Sequence, residues 1–444
     1  MQAERIPIQT MEKQKDNIKA KQDLLQELIT LAEGLQGKIF ENGNARSLRE
    51  LSYKTNEDIV GVTVDKNLAR PGSYQIEVMQ LAQKSSAMSS GFEDPDESYV
   101  GVGFIQYTLP DGTTQDVYVD SDNSSLNGIA KLINSDEENG MSANVINDGS
   151  DTDRPWRLIL SLDETGDDNF AEFPYLYFVD GEDDLYFEFE REAQDAKVKL
   201  DGFEIQLPGN RTTDLIPGVT LDLKKADPGN EFTLEISEDI EKVSEKINSM
   251  IDEINNIFKF IKQQNEMDQN TDTKRTLGGD ITLQSLEGRL RAAVFKDIAT
   301  SEGFKKLSHL GIRFQRNGLL EFDEGTFKQN IGENYTLVSE VLTGMFDENG
   351  LKTDGFVDYI RGTIDLALRQ PDGLLRSRKR TLQTNIDQID RRIENKERML
   401  KQKEQSLKDR FARLEGTISQ MKAQSSSVAA IGGGGGGAVL PQLG

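Results

Sequence analysis

The chain has 444 residues, with 77 Asp and Glu against 52 Lys and Arg for a formal net charge of −25, one histidine and no cysteine. That length leaves room for about three domains, while the lack of cysteine excludes disulfides, thiolate metal sites and cysteine nucleophiles. No stretch approaches the ~18 apolar residues of a membrane span, and Glu4, Arg5, Glu12, Lys13, Lys15 and Asp16 stand where a signal peptide would have its apolar core, so no membrane insertion is expected and the protein is cytoplasmic or exported without a cleaved signal.

Residues 1–55 read as helical. Met11, Ile18, Leu25, Leu28, Ala32, Leu35 and Ile39 recur at helical spacing and draw a narrow apolar seam, weakened by Gly34 and Gly37 and interrupted near Asn42, Gly43 and Asn44. From Ile59 the period changes to two: Val60, Val62 and Val64 alternate, and Pro71-Gly72 leads into a strand over residues 75–81.

An acidic module spans residues 93–195, where 27 Asp and Glu face only Lys131, Arg154, Arg157 and Arg191, a local net of −23. Strand-like runs recur at 104–109, 117–119, 157–162 and 185–189, and Leu126, Ile129, Ala130, Leu132 and Ile133 predict one short helix. So acidic a surface argues against nucleic acid, which requires a basic patch. Trp156, Phe170, Phe173, Tyr175, Tyr177 and Phe178 read as strand core, with an adhesive aromatic surface as the alternative.

Strands return over 196–236, broken by Pro208-Gly209-Asn210, Pro217-Gly218 and Pro228-Gly229. Helical periodicity resumes near Glu238 as Val243, Ile247, Ile251, Ile254, Phe258 and Ile261. One hairpin is expected within it, with residues 312–314 and 319–322 flanking Asn317-Gly318, a pair that favours positive backbone angles.

A second seam then runs through Leu382, Ile386, Ile389, Ile393, Leu400, Leu407, Leu414, Ile418 and Met421. Lys396 and Lys403 sit at seam positions, and the step from Lys403 to Leu407 to Phe411 is two fours in succession, a stutter that locally unwinds a supercoil. Residues 376–422 hold 14 basic and seven acidic side chains, a net of +7 that solvates a coiled coil. Neither seam can be buried on a lone helix, so the two ends must pair with each other, with other copies or with a similar partner.

Chemical motifs fail on inspection. His309 is the only histidine and, beside Leu307 and Leu310, reads as structural. Residues 148–153 resemble a calcium loop, but Gly149 is misplaced and no glutamate closes it. The acids at 180–184 are consecutive in a turn and lack the opposed geometry of glycosidase carboxylates. Asn123, Asn210 and Asn334 match the glycan acceptor pattern by chance. No cofactor, metal or enzymatic activity is expected.

Ordered stretches along nearly the whole chain resemble the flagellar filament cap family, FliD. They are residues 68–74 with Val78 and 80–82, 125–130 with Ile133-Asn134, 210–213 with 216–221, Gly279-Asp280, 310–312 with 318–320 and Asp323, and 411–415 with 418–421. Two features depart from the family. Its short Gly- and Ser-containing opening is unmatched at Met1-Gln2-Ala3-Glu4-Arg5, so the extreme N-terminus and its share of the export signal are expected to be missing; and Gly432 to Gly437 read as a flexible linker.

The resemblance implies an α+β multidomain protein: N-terminal leg helices (1–55), a β-rich plate (56–92 and 196–237), an inserted acidic β-rich head (93–195), a helical domain with one hairpin (238–380), a C-terminal coiled-coil leg (381–431) and a Gly-rich tail (432–444). It implies a ring, commonly of five subunits, at the extracellular flagellum tip, whose legs reach into the filament end while plates and heads face outwards. Mismatch between ring and filament would leave a gap where exported flagellin folds and inserts. Flagellin, the hook-filament junction protein, an export chaperone and further copies of the chain are the implied partners. Another axial component, such as a junction protein or flagellin-like subunit, and a surface adhesin using the acidic head are the alternatives.

Overall fold

The computed structural model describes residues 2–135, 140–266 and 272–432, the side chains at 2–3, 173–175 and 427–432 excepted. It divides into two compact units, one formed by residues 1–48 with 244–444 and the other by 49–243.

The first unit is mainly helical. It contains α1 (Gln2–Asn42), α2 (Ala45–Leu48), most of α4 (Ile240–Asn265), α5 (Ile281–Val294), α6 (Glu324–Glu333), α7 (Tyr335–Thr343), α8 (Phe356–Leu368) and α9 (Leu374–Gly432). Side-chain oxygens start several of these: Asp280 accepts from the Thr282 amide, Asp323 from Thr326 and Asn334 from Leu337, each satisfying a first-turn donor that has no partner within the helix. The predicted hairpin is present as β18 (Ile312–Phe314) and β19 (Leu320–Phe322), with Gly318 at φ +84 in its turn. Another small hairpin, β16 (Ile298–Thr300) with β17 (Gly303–Lys305), was not foreseen.

The buried face of α4 is the predicted one, Val243, Ile247, Ile251, Ile254, Phe258 and Ile261, with Met250 and Ile257 added. Asn255 on the same helix is buried and bonds Leu320 in both directions, donating to its carbonyl at 2.9 Å and accepting from its amide at 2.7 Å. A buried amide left unpaired would be costly, so this pair fixes the hairpin on the helix.

The second unit is built from antiparallel sheets. One has the order β1 (Leu51–Lys54), β15 (Phe232–Glu238), β3 (Gly72–Gln80), β11 (Ala196–Leu200) and β12 (Phe203–Leu207); another has β13 (Arg211–Ile216), β14 (Val219–Leu223) and β2 (Val60–Val64). They share a core that includes Val60, Ile76, Val78, Val198, Leu221 and Leu234. At the β13–β14 turn Gly218 has φ +75, and a Cβ there would lie 2.4 Å from the Ala69 nitrogen, so glycine is required both by the backbone angle and by the close approach.

A separate core lies between the sheet β10 (Phe187–Arg191), β4 (Ser86–Ser89), β8 (Trp156–Leu162), β7 (Met141–Asn147), the sheet β6 (Thr114–Val119), β5 (Val102–Thr108), β9 (Glu172–Val179), and α3 (Leu126–Asn134). Phe92, Ile105, Tyr107, Ile129, Ile133 and Leu160 are fully buried in it. Gln83 and Gln194 exchange backbone hydrogen bonds of 3.0 and 3.2 Å where the chain enters and leaves this layer.

Several expectations are corrected. Residues 51–54 are a strand and not helix, because pairing with β15 outweighs their helical neighbours. Residues 86–92, assigned from sequence to the plate, join the head sheet and core through β4 and Phe92. The helix that carries the second seam starts at Leu374 and runs without a break across the expected boundary at 380/381. Among the aromatic candidates Trp156 and Phe178 pack on the head core, whereas Phe170 and Tyr177 are exposed. The side chains of Phe173 and Tyr175 lie outside the described residues, as do Gly433 to Gly437 of the expected linker and the rest of the tail.

Candidate functional site

The two seams meet on one pair of helices. Lys15 bonds Asp390, Gln22 bonds Gln383 at 2.8 Å, Gln26 bonds Lys379 and Glu33 bonds Arg376. Each step forward along α1 is matched by a step back along α9, so the pair is antiparallel. Leu25, Leu28, Leu35 and Ile39 of α1 are buried, and so are Leu382, Ile386 and Ile389 of α9. Met11 and Ile18 are half-buried, as are Ile393, Leu400 and Leu407.

Toward the far end the seam opens. Phe411, Leu414, Ile418 and Met421 are 67%, 57%, 48% and 64% exposed. Lys403 pairs with Glu4 near the start of α1, and α9 continues to Gly432, about 40 Å further at 1.5 Å per residue. One helix thus grades from buried to exposed apolar side chains while its heptad spacing barely changes.

Charge lines the pair along its solvent-facing edges. Donation from Lys403 holds the Glu4 carboxyl below its ordinary value, and the hydrogen bond to Asp390 raises Lys15. Such solvent-screened pairs bind weakly, so they fix register more than they hold the helices together. Lys403, which occupies a seam position in the sequence, is therefore charge-paired across the helices and not a bare defect; Lys396 is half-buried. A cleft of about 530 Å³ opens between the helices here, lined by Arg5, Ile8, Glu12, Glu397, Leu400 and Glu404. It is a shallow groove with a mixed lining, suited to side chains of a partner and to no recognisable chemistry.

Sequence reasoning missed Ile8 and Ile29, both buried, and the contact of α1 with α8. The signal was present: Leu25, Leu28, Ile29, Ala32 and Leu35 form a stripe wider than a two-helix seam, which asks for a third helix. Ile360 and Ile364 of α8 are fully buried within the same unit.

The other candidates carry no chemistry. Among the described residues no three His, Cys, Asp or Glu side chains group so as to hold a metal ion, and no helix is long and apolar enough to cross a membrane. His309 lies in a short 3-10 turn, where its Nδ1 accepts from the Lys306 amide at 3.4 Å. Asp148 is committed to Ser150 and Arg157.

Comparison with known proteins agrees with this architecture. The family model described as Flagellar hook-associated protein 2 C-terminus matches residues 193–423, and its N-terminal counterpart matches residues 1–85. The B-type flagellar hook-associated protein 2 of Pseudomonas aeruginosa is 27% identical over 382 residues, covering 79% of this chain and 76% of that protein. The crystal structure of the flagellar cap protein FliD D1-D2-D3 domains from Escherichia coli has a similar fold, with TM-score 0.60 and 20% identity over 81% of this chain and all of that one. The flagellar cap protein FliD from Bdellovibrio bacteriovorus is 47% identical, covers 41% of this chain and 99% of that one, and superposes with TM-score 0.38. Since the C-terminal model alone spans more than half of the sequence, the chain belongs to the flagellar hook-associated protein 2 family, the FliD flagellar cap proteins.

Proposed function

We propose that the chain caps the filament through its leg pair, which holds the tip by the graded seam of α9. The observation that carries this is the passage from buried Leu382, Ile386 and Ile389 to exposed Phe411, Leu414, Ile418 and Met421 along one continuous helix. The buried end anchors the leg in its own bundle, and the exposed end offers an apolar stripe to helices of similar pattern. A stripe flanked by charge binds in shallow, repeatable ways. That suits a cap that steps as each subunit is added.

On this reading the chain works at the extracellular tip, exported without a cleaved signal and escorted by an export chaperone. It forms a closed homo-oligomer, with five subunits as the reading inherited from the resemblance. The hook-filament junction protein is one partner, and emerging flagellin is another, retained so that each subunit folds and inserts. Its action is assembly and not catalysis.

The test places charge where the seam is half-buried. Burial contributes roughly 1.5–3 kcal/mol for a fully buried leucine and less at these two positions, while an aspartate adds a desolvation cost. Leu400→Asp with Leu407→Asp should part the lower leg and leave the two β cores intact, since neither residue belongs to them. Cells whose only cap is a full-length version with this pair should secrete it, fail to hold the tip and leak monomeric flagellin into the medium. Normal filaments in those cells would sink the proposal.

A further inference from the structure

Three aromatic side chains stand in one row on the outer face of the β6–β5–β9 sheet. Phe104 of β5 is in register with Tyr118 of β6 on one side and Tyr177 of β9 on the other. They are 47%, 53% and 66% exposed, whereas Ile105, Tyr107 and Val119, which point to the opposite face, are fully buried. The Phe104 and Tyr118 rings lie 5.1 Å apart and tilted. On the next row exposed Asp116 accepts from Gln106 Nε2 at 2.7 Å. The face is therefore an aromatic ladder with a carboxylate beside it.

Cross-strand aromatic pairs stabilise a sheet, and that accounts for the pairing of neighbouring rings. It does not account for the exposure of all three rings, nor for the surroundings. The segment carrying this sheet has 27 acidic and four basic side chains. Arg154 is already held by Asp183, Arg157 by Asp148 and Glu188, and Arg191 by Gln83. The segment as a whole thus keeps a large acidic surplus, of which Asp116 stands on the row beside the rings, and the π faces add their own attraction for cations.

From this charge complementarity we infer that the ladder formed by Tyr118, Phe104 and Tyr177 docks an extended, Lys- or Arg-rich segment of a partner protein. With neighbouring strands about 4.8 Å apart, the outer rings are about 10 Å apart, while alternate side chains of an extended peptide repeat at about 7 Å. Two basic residues spaced two apart, laid across the strands, span more than one pair of neighbouring rings and fall about 3 Å short of the outer pair, a difference that long Lys or Arg side chains take up. This site goes beyond the leg-based reading, and its residues share nothing with the seam.

The experiment measures binding of a labelled oligolysine peptide to the full chain by fluorescence anisotropy, at low and at near-physiological salt. Phe104→Leu with Tyr177→Leu keeps apolar bulk but removes two π faces, and the loss of two cation–π contacts predicts roughly a tenfold weaker affinity. Asp116→Asn should weaken it by a smaller factor. Tyr177→Leu alone, at the most exposed of the three rings, serves if the double variant does not fold, and should still weaken binding severalfold. Affinity that falls with salt but is unchanged by the leucine variants would mean diffuse charge attraction and overturn the site. Binding of a neutral oligosaccharide in place of oligolysine would overturn it in favour of a glycan. A changed oligomeric mass in the leucine variants, with no oligolysine binding by the parent, would instead assign the row to contact between copies.

Discussion

Arg157 is one of only four basic residues between 93 and 195, and it ties together elements that the sequence keeps far apart. Its Nε donates to Asp148 at 2.5 Å, and its Nη1 to Glu188 at 2.6 Å and to the Ser89 carbonyl at 2.9 Å, so the end of β7, strand β10 and strand β4 are joined through one guanidinium on β8. Donation from the Ser150 hydroxyl, then from Arg157 and the Ser150 amide, lowers the Asp148 carboxyl to about 2. A carboxyl depressed in the folded state contributes stability that is present above its ordinary value of 3.8 and lost as pH falls toward 2. The single tryptophan, Trp156, opens β8 and reports on this layer. Asp148→Asn should therefore lower the urea midpoint seen by Trp156 fluorescence at neutral pH, and the difference from the parent should vanish near pH 2. A difference constant across pH would show that the carboxylate charge is not the cause. Glu238 has the opposite sign, because burial raises its carboxyl against the pull of Arg49 and protonation there favours the folded form.

At the scale of the element, α9 separates what a pattern specifies from what only neighbours decide. Ile386 and Leu400 occupy equivalent seam positions, yet one is buried and the other half-exposed. Ile386→Ala should destabilise the helical unit by about 2–4 kcal/mol through cavity formation, and Leu400→Ala by about 1 kcal/mol or less, as read from thermal melts at 222 nm. Equal losses would mean that the lower leg is as tightly packed as the upper. The seams, the α4 face, the hairpin at Asn317-Gly318 and the short helix α3 were legible because spacing and turn chemistry are local properties. The exposed end of α9 was not, since Leu414 repeats the pattern of Leu382 and burial depends on where α1 lies. Strand β4, Ser-Ala-Met-Ser in sequence, has little apolar alternation, and only its pairing with β8 and β10 makes it a strand. The aromatic ladder was hidden for a similar reason: Phe104 and Tyr177 are 73 positions apart, and register alone brings them side by side.

In the whole molecule the second unit holds two cores with no residue in common, one around Val78 and Leu234 and the other around Phe92 and Leu160. Because Gln83 and Gln194 are bonded backbone to backbone, a short flexible linker between them should replace residues 84–193 and leave the first core folded. Cooperative loss of all structure in circular dichroism would show that the layers depend on each other. The same division predicts how salt acts on assembly. A net charge of −23 on each acidic layer opposes the approach of copies, whereas the ion pairs along α1 and α9, such as Lys15 with Asp390, favour the leg. Salt weakens both, since at 0.1 M the Debye length is about 10 Å. The repulsion should dominate, because exposed pairs are weak and screened while the acidic charges are many and of one sign. Raising salt should thus shift the mass measured by light scattering toward a closed oligomer, and removal of the acidic layer should abolish the salt dependence. A monomer at every salt concentration, or a mass that falls as salt rises, would show that the copies are not held apart by their heads.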